Sequence, residues 1–92
     1  MKAIAEIQVI PIGAGVSVRD EVRRAHDLLV QSGLETELHA YGTNVEGELR
    51  DILAAVQKVH ETLHDEGVVR LSTAMKLGTR TDKEPRLADR DL

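Results

Sequence analysis

A chain of 92 residues is a single small domain, residues 1–92, that buries only about 60–65% of its unfolded surface, so self-association would add to a thin core. Its apolar residues are aliphatic, with no Phe, no Trp and one Tyr, and its net charge is −4. Both facts argue against a nucleic-acid partner, which calls for stacking faces and a basic patch. The lack of cysteine removes disulfides, thiolate zinc sites and cysteine nucleophiles. No run reaches the roughly 18–20 apolar residues of a membrane span, and Glu6 interrupts any leader core, so a cytoplasmic protein without a membrane partner is expected.

Residues 2–10 alternate, with Ala3, Ala5, Ile7 and Val9 on one face and Lys2, Ile4, Glu6, Gln8 and Ile10 on the other. This is a strand with one apolar and one mixed face, ended by Pro11 and the Gly13-Ala14-Gly15 loop. The loop lacks the third glycine of a dinucleotide fingerprint, since Val18 holds that place. Ser17 is suited to cap a helix, with Asp20 three residues on, and Val18, Val22, Ala25 and Leu29 follow at helical spacing. Gly33 closes that helix, and Arg19, Arg23 and Arg24 fall on its outer side.

Thr36, Leu38 and Ala40 alternate with Glu37, His39 and Tyr41 as a second strand. Gly42 is placed to make a tight reversal, after which Asn44–Gly47 returns antiparallel. The stretch Tyr41-Gly42-Thr43-Asn44-Val45-Glu46-Gly47-Glu48 sets a hydroxyl, an amide and a carboxylate beside the one aromatic residue. Such a cluster can orient a small polar molecule; a hairpin turn leading to a helix start is the plainer alternative. A second helix is predicted from Glu48 to Glu66, with Leu49, Ile52, Leu53, Val56, Val59, His60 and Leu63 as its stripe and Gly67 as its end. A fourth strand alternates Val69, Leu71, Thr73, Met75 and Leu77 with Arg70, Ser72, Ala74 and Lys76.

The order β-α-β-β-α-β predicts an α+β, ferredoxin-like fold with a four-stranded antiparallel sheet and both helices on one face. Ala3, Ala5, Ile7, Val9, Leu38, Val45, Leu71 and Met75 form the inward set. Ile4, Glu6, Gln8, His39, Tyr41, Glu46, Arg70 and Ser72 share the uncovered face, a mixed surface suited to a subunit contact or a ligand pocket. Residues 78–92 interleave charges of both signs and form either a frayed tail or a short terminal helix started by Pro85 and anchored by Leu87 and Leu92.

His60-Glu61-Thr62-Leu63-His64 spells the zinc-protease signature, in which two imidazoles hold the metal and the glutamate is the base. Here His60 lies within the apolar stripe while Glu61 points away from it, and no third ligand follows. The expectation is a structural histidine and a surface one, with no metal, no catalytic residue and no enzymatic activity.

Val9-Ile10-Pro11-Ile12-Gly13 with Ser17-Val18, Gly42-Thr43 followed by Val45-Glu46-Gly47-Glu48, His60-Glu61, and Gly67 with Arg70, Thr73, Lys76, Arg80 and Asp82-Lys83 occur in that order along the chain. In these residues, above all Gly-Thr-x-x-Glu-Gly, the chain resembles the small thiamine-binding proteins related to YkoF-type hydroxymethylpyrimidine/thiamine-binding proteins. The resemblance implies a ferredoxin-like fold assembled into dimers or tetramers that binds thiamine or its pyrimidine moiety and requires no cofactor. It also implies that the histidine–glutamate pair belongs to the second helix. The chain departs from the family at Leu77-Gly78-Thr79-Arg80, where an aspartate usually stands in the place of Gly78, and in its shortened C-terminal helix.

Ser17, Thr43 and Glu46 sit on matching family motifs and are the expected ligand contacts, Glu46 pairing with the aminopyrimidine edge or offsetting the thiazolium charge. Tyr41 is the available stacking partner, and Gln8 and Arg70 are further polar groups on the mixed face. A ferredoxin-like assembly or regulatory domain without thiamine affinity is the competing expectation.

Overall fold

The computed structural model of the chain describes residues 1–13 and 19–89. Alternating apolar residues make β1 (Lys2–Ile12) an interior strand of the sheet. It is followed by α1 (Arg19–Gln31), β2 (Glu35–His39), β3 (Gly42–Glu48), α2 (Leu49–Asp65) and β4 (Arg70–Gly78), with one 3-10 turn at Leu87–Asp89. The four strands pair antiparallel in the order β2-β3-β1-β4. This is the expected βαββαβ arrangement. No described helix is long and apolar enough to cross a membrane.

The core lies between the sheet and the two helices. Ala3, Ala5, Ile7 and Val9 of β1 and Val45 of β3 pack there against Ala25, Leu28 and Leu29 of α1 and Ile52, Ala55, Val59 and Leu63 of α2. Burying each of the larger of these side chains is worth about 1.5–3 kcal/mol, which is where most of the fold's stability resides. The α2 terminus is a Schellman motif: Gly67, at φ 104°, donates to the His64 carbonyl at 3.0 Å and Val68 donates to that of Leu63 at 3.0 Å. Arg24 grips Glu66 there through Nε and Nη2, at 2.8–3.2 Å, tying α1 to the end of α2. That guanidinium holds the Glu66 carboxyl below its ordinary range.

Several boundaries differ from the sequence expectation. Strand β1 runs through Pro11 to Ile12, because the β1–β3 ladder stops at Ile7↔Thr43 and leaves one side of β1 unpaired, where a missing N–H is tolerated. The hairpin turns at Ala40-Tyr41, so Gly42 is the first residue of β3 and not the reversal itself. A Cβ on Gly42 would sit 2.5 Å from the Ile7 carbonyl oxygen; close strand approach is what glycine serves there. At Gly47 the approaching group is a methyl of Leu34. Leu53 and Val22 are exposed, and Ala55 and Leu28 take the core positions. Val69 precedes β4 and is exposed. The predicted Ser17 cap, with Val18, Ala14, Gly15 and Leu92, lies outside the described residues.

On the face without helices, residues 84–89 lie over the end of the sheet. Pro85 is buried, the Leu87 N–H donates to Glu46, and Ile4, the cross-strand neighbour of both Glu46 and Gly78, is only 7% exposed. The terminal segment is thus anchored, with one helical turn among its described residues.

Candidate binding site

Past the Ile7↔Thr43 pair, β1 continues without β3 beside it, and α1 passes over the gap. The result is a cavity of about 300 Å³ between β1, α1 and the β2–β3 turn, lined by Gln8, Ile10, Val22, His26, Leu38, His39, Tyr41 and Thr43 among others. Thr43 faces the helices, is 3% exposed, and shares a hydrogen bond with His26 Nδ1 at 3.1 Å. Ile10, Val22, Leu38 and Tyr41 are among the large apolar side chains left exposed, and all four line this cavity. No Asp, Glu, Lys or Arg lines it among the described residues. It is a largely apolar hollow with a few hydrogen-bonding groups, the usual makeup of a small-molecule site.

At the turn, His39 Nδ1 accepts the Tyr41 N–H at 3.2 Å. Its Nε2 lies 3.0 Å from Asn44 Oδ1 and 3.5 Å from Glu6 Oε2. Tyr41 is 76% exposed beside the opening.

The predicted site residues are not all brought together. Gln8, Tyr41 and Thr43 line the cavity just described. Glu46 is three residues from Thr43 along a strand and therefore projects from the opposite face. It lines a second hollow of about 470 Å³ with Lys2, Glu35 and Arg86. There its Oε1 accepts the Leu87 N–H at 2.8 Å, and its proximity to the cross-strand Glu35 raises the Glu35 carboxyl above its ordinary range. Arg70 begins β4 opposite Ile12 and lines neither hollow. Tyr41 belongs to the turn and not to the open sheet face. Ser17 lies outside the described residues.

Sequence reasoning passed over His26. A signal was present, since His26 follows Val22 by four residues and precedes Leu29 by three, a polar group in an apolar stripe. Glu35 carried no signal, because its closeness to Glu46 depends on strand register.

The histidine pair of α2 is otherwise engaged. His60 Nε2 is 2.6 Å from Thr73 Oγ1 on β4, and His64 Nδ1 donates to the Val68 carbonyl at 2.7 Å. The rings meet edge to face at 6.2 Å. Among the described residues no group of three or more His, Asp or Glu is placed to hold a metal ion.

An antiparallel β2-β3-β1-β4 sheet with two helices on one face defines a ferredoxin-like protein, here with a cavity at its hairpin end. Within that class the chain belongs to the thiamine-binding protein family, whose model matches residues 5–91. A UPF0045 protein of Synechocystis is 42% identical over 83 residues, spanning 90% of this chain and 69% of the relative. The hypothetical protein MJ1052 of Methanocaldococcus jannaschii has a crystal structure that superposes with a TM-score of 0.89 at 35% identity, covering 97% of this chain and 91% of that one. A candidate thiamine biosynthesis/salvage protein from Thermotoga maritima shares the fold, with a TM-score of 0.85 at 19% identity over 98% and 95% of the two chains. The family is one of binding proteins, and membership points to a binding role rather than to catalysis.

Proposed function

We propose that this chain binds thiamine or its hydroxymethylpyrimidine moiety, without transforming it and without a cofactor, as a cytoplasmic homo-oligomer. The observation that carries the reading is the cavity, lined by no Asp, Glu, Lys or Arg among the described residues, with Thr43 and His26 hydrogen-bonded within it. An aminopyrimidine is a flat, neutral ring whose edge both donates and accepts hydrogen bonds, and Thr43, His26 and Gln8 offer matching groups. With no carboxylate lining it among the described residues, the cavity gives no reason to bury a thiazolium cation, so the pyrimidine enters and the cationic ring stays at the mouth. Exposed Tyr41 is placed to face that cation, for about 0.5–2 kcal/mol. Ser17 joins this site on the family motif alone, whereas Glu46 and Arg70 stand outside it.

Titration calorimetry with thiamine and with hydroxymethylpyrimidine tests the proposal. Saturable binding of both is expected, weakened about tenfold or more by Thr43→Val and unchanged by Glu46→Gln. Absence of heat and of any thermal shift up to millimolar ligand would overturn it.

A second reading, assembly without thiamine affinity, is favoured by the outer strand β4. Met75 and Leu77 are exposed on it, and Ile10 and Ile12 are exposed on the neighbouring β1. Sedimentation equilibrium separates the two: an oligomer that takes up neither ligand is an assembly domain.

A further inference from the structure

The β2–β3 turn has an unusual composition. Its two central residues are Ala40 and Tyr41, neither of which is among the Gly, Asn, Asp and Pro that favour tight reversals. Something other than local preference must hold it. The Tyr41 N–H donates to a side chain two residues earlier, the bond by which an Asn or Asp shapes a turn, and here the acceptor is the imidazole Nδ1 of His39.

We infer that His39 is the positioning residue of the ligand site, setting Tyr41 at the cavity mouth by acting as the turn's side-chain acceptor. A backbone N–H only donates, so Nδ1 must present a lone pair and the ring proton resides on Nε2. That proton is directed at Asn44 Oδ1 on β3, with Glu6 Oε2 of β1 next to it. Both ring nitrogens are therefore committed to the protein. His39 lines the cavity yet has no hydrogen-bonding capacity left for a ligand; its influence passes through the turn. His26 differs, since only its Nδ1 is engaged by a described residue.

The inference rests on the thiamine-binding reading for its functional consequence, and two measurements keep them separable. The first is amide hydrogen exchange at Tyr41 in wild type, His39→Leu and His39→Asn. A carboxamide at this position can accept the same N–H, so wild type and His39→Asn are expected to protect the Tyr41 amide and His39→Leu to lose most of the protection. Equal protection in all three overturns the inference whatever the protein binds. The second is calorimetric affinity for thiamine, expected to fall about tenfold in His39→Leu and to recover to within about threefold of wild type in His39→Asn. Unchanged affinity in His39→Leu, or equal loss in both variants, overturns the positioning role. No binding by wild type with the expected exchange pattern overturns the ligand reading and leaves His39 as the holder of the turn.

Discussion

The carboxylate of Glu46 accepts the backbone N–H of Leu87 at 2.8 Å, joining the middle strand of one half of the sheet to a segment 41 residues further along the chain. A charge-assisted bond of this kind, with Pro85 buried nearby, holds the terminal segment beside Lys2, Glu35 and Glu37. Glu46→Ala is therefore expected to free residues 84–89 and leave the helix-side core intact. Faster amide exchange at Leu87 and new proteolytic cleavage beyond Arg80, with an unaltered circular dichroism spectrum, would register this. An unchanged Leu87 amide would mean that apolar packing alone retains the segment.

Glu35 and Glu66 make opposite contributions to acid stability. Hydrogen bonding and repulsion from Glu46 raise the Glu35 carboxyl above its ordinary 4.5, so its contribution is present below 4.5 and is lost as pH rises through the raised value. The Arg24 guanidinium lowers the Glu66 carboxyl, so that contribution is present above 4.5 and is lost as pH falls through the lowered value. Glu35→Gln is expected to raise the midpoint of urea unfolding near pH 7, and Glu66→Gln to reduce it. Both differences should be smaller at about pH 3 than near pH 7, as protonation of the carboxyls proceeds. Urea titrations at the two pH values check the signs, and parallel offsets at both would contradict them.

The order of elements was legible because period-two and period-3.6 patterns are imposed by burial on one face, and β1 and α2 carry them clearly. The hairpin was less so. Ala40-Tyr41 has no turn chemistry of its own, and Gly42, which does, is needed for its missing side chain against the Ile7 carbonyl. The grouping of Thr43 with Glu46 followed their nearness in sequence, although an odd separation along a strand sends side chains to opposite faces. His26 and Thr43 meet only because α1 packs against β1 and β2 on the sheet face that Thr43 shares, a matter of packing that no local pattern reports.

Gly42→Ala tests the close approach directly. The added methyl would fall 2.5 Å from a backbone oxygen, which cannot rotate away, so the ladder between β1 and β3 has to open locally. A loss of roughly 1–3 kcal/mol is expected from overpacking of this kind. The cavity wall would move with it, and thiamine affinity should fall in the same variant. Equilibrium unfolding with stability unchanged would show that the strands accommodate the methyl.

The zinc-protease spelling in α2 leads to a prediction of a different sort. His60 Nε2 is within 2.6 Å of the Thr73 hydroxyl, and His64 uses Nδ1 to satisfy the Val68 carbonyl just past the helix end. These bonds secure α2 to β4 and to the chain that follows it, a structural use for both rings. Chelator-treated protein is accordingly expected to take up no stoichiometric zinc, and Glu61→Ala, at an exposed position, to unfold as wild type does. His60→Ala is expected to cost about 1–3 kcal/mol, because the half-buried Thr73 hydroxyl loses its partner. Zinc titration followed calorimetrically, with unfolding curves of the two variants, decides the matter. One zinc per chain, bound tightly and lost in His64→Ala, would mean that the pair serves as a metal site after all.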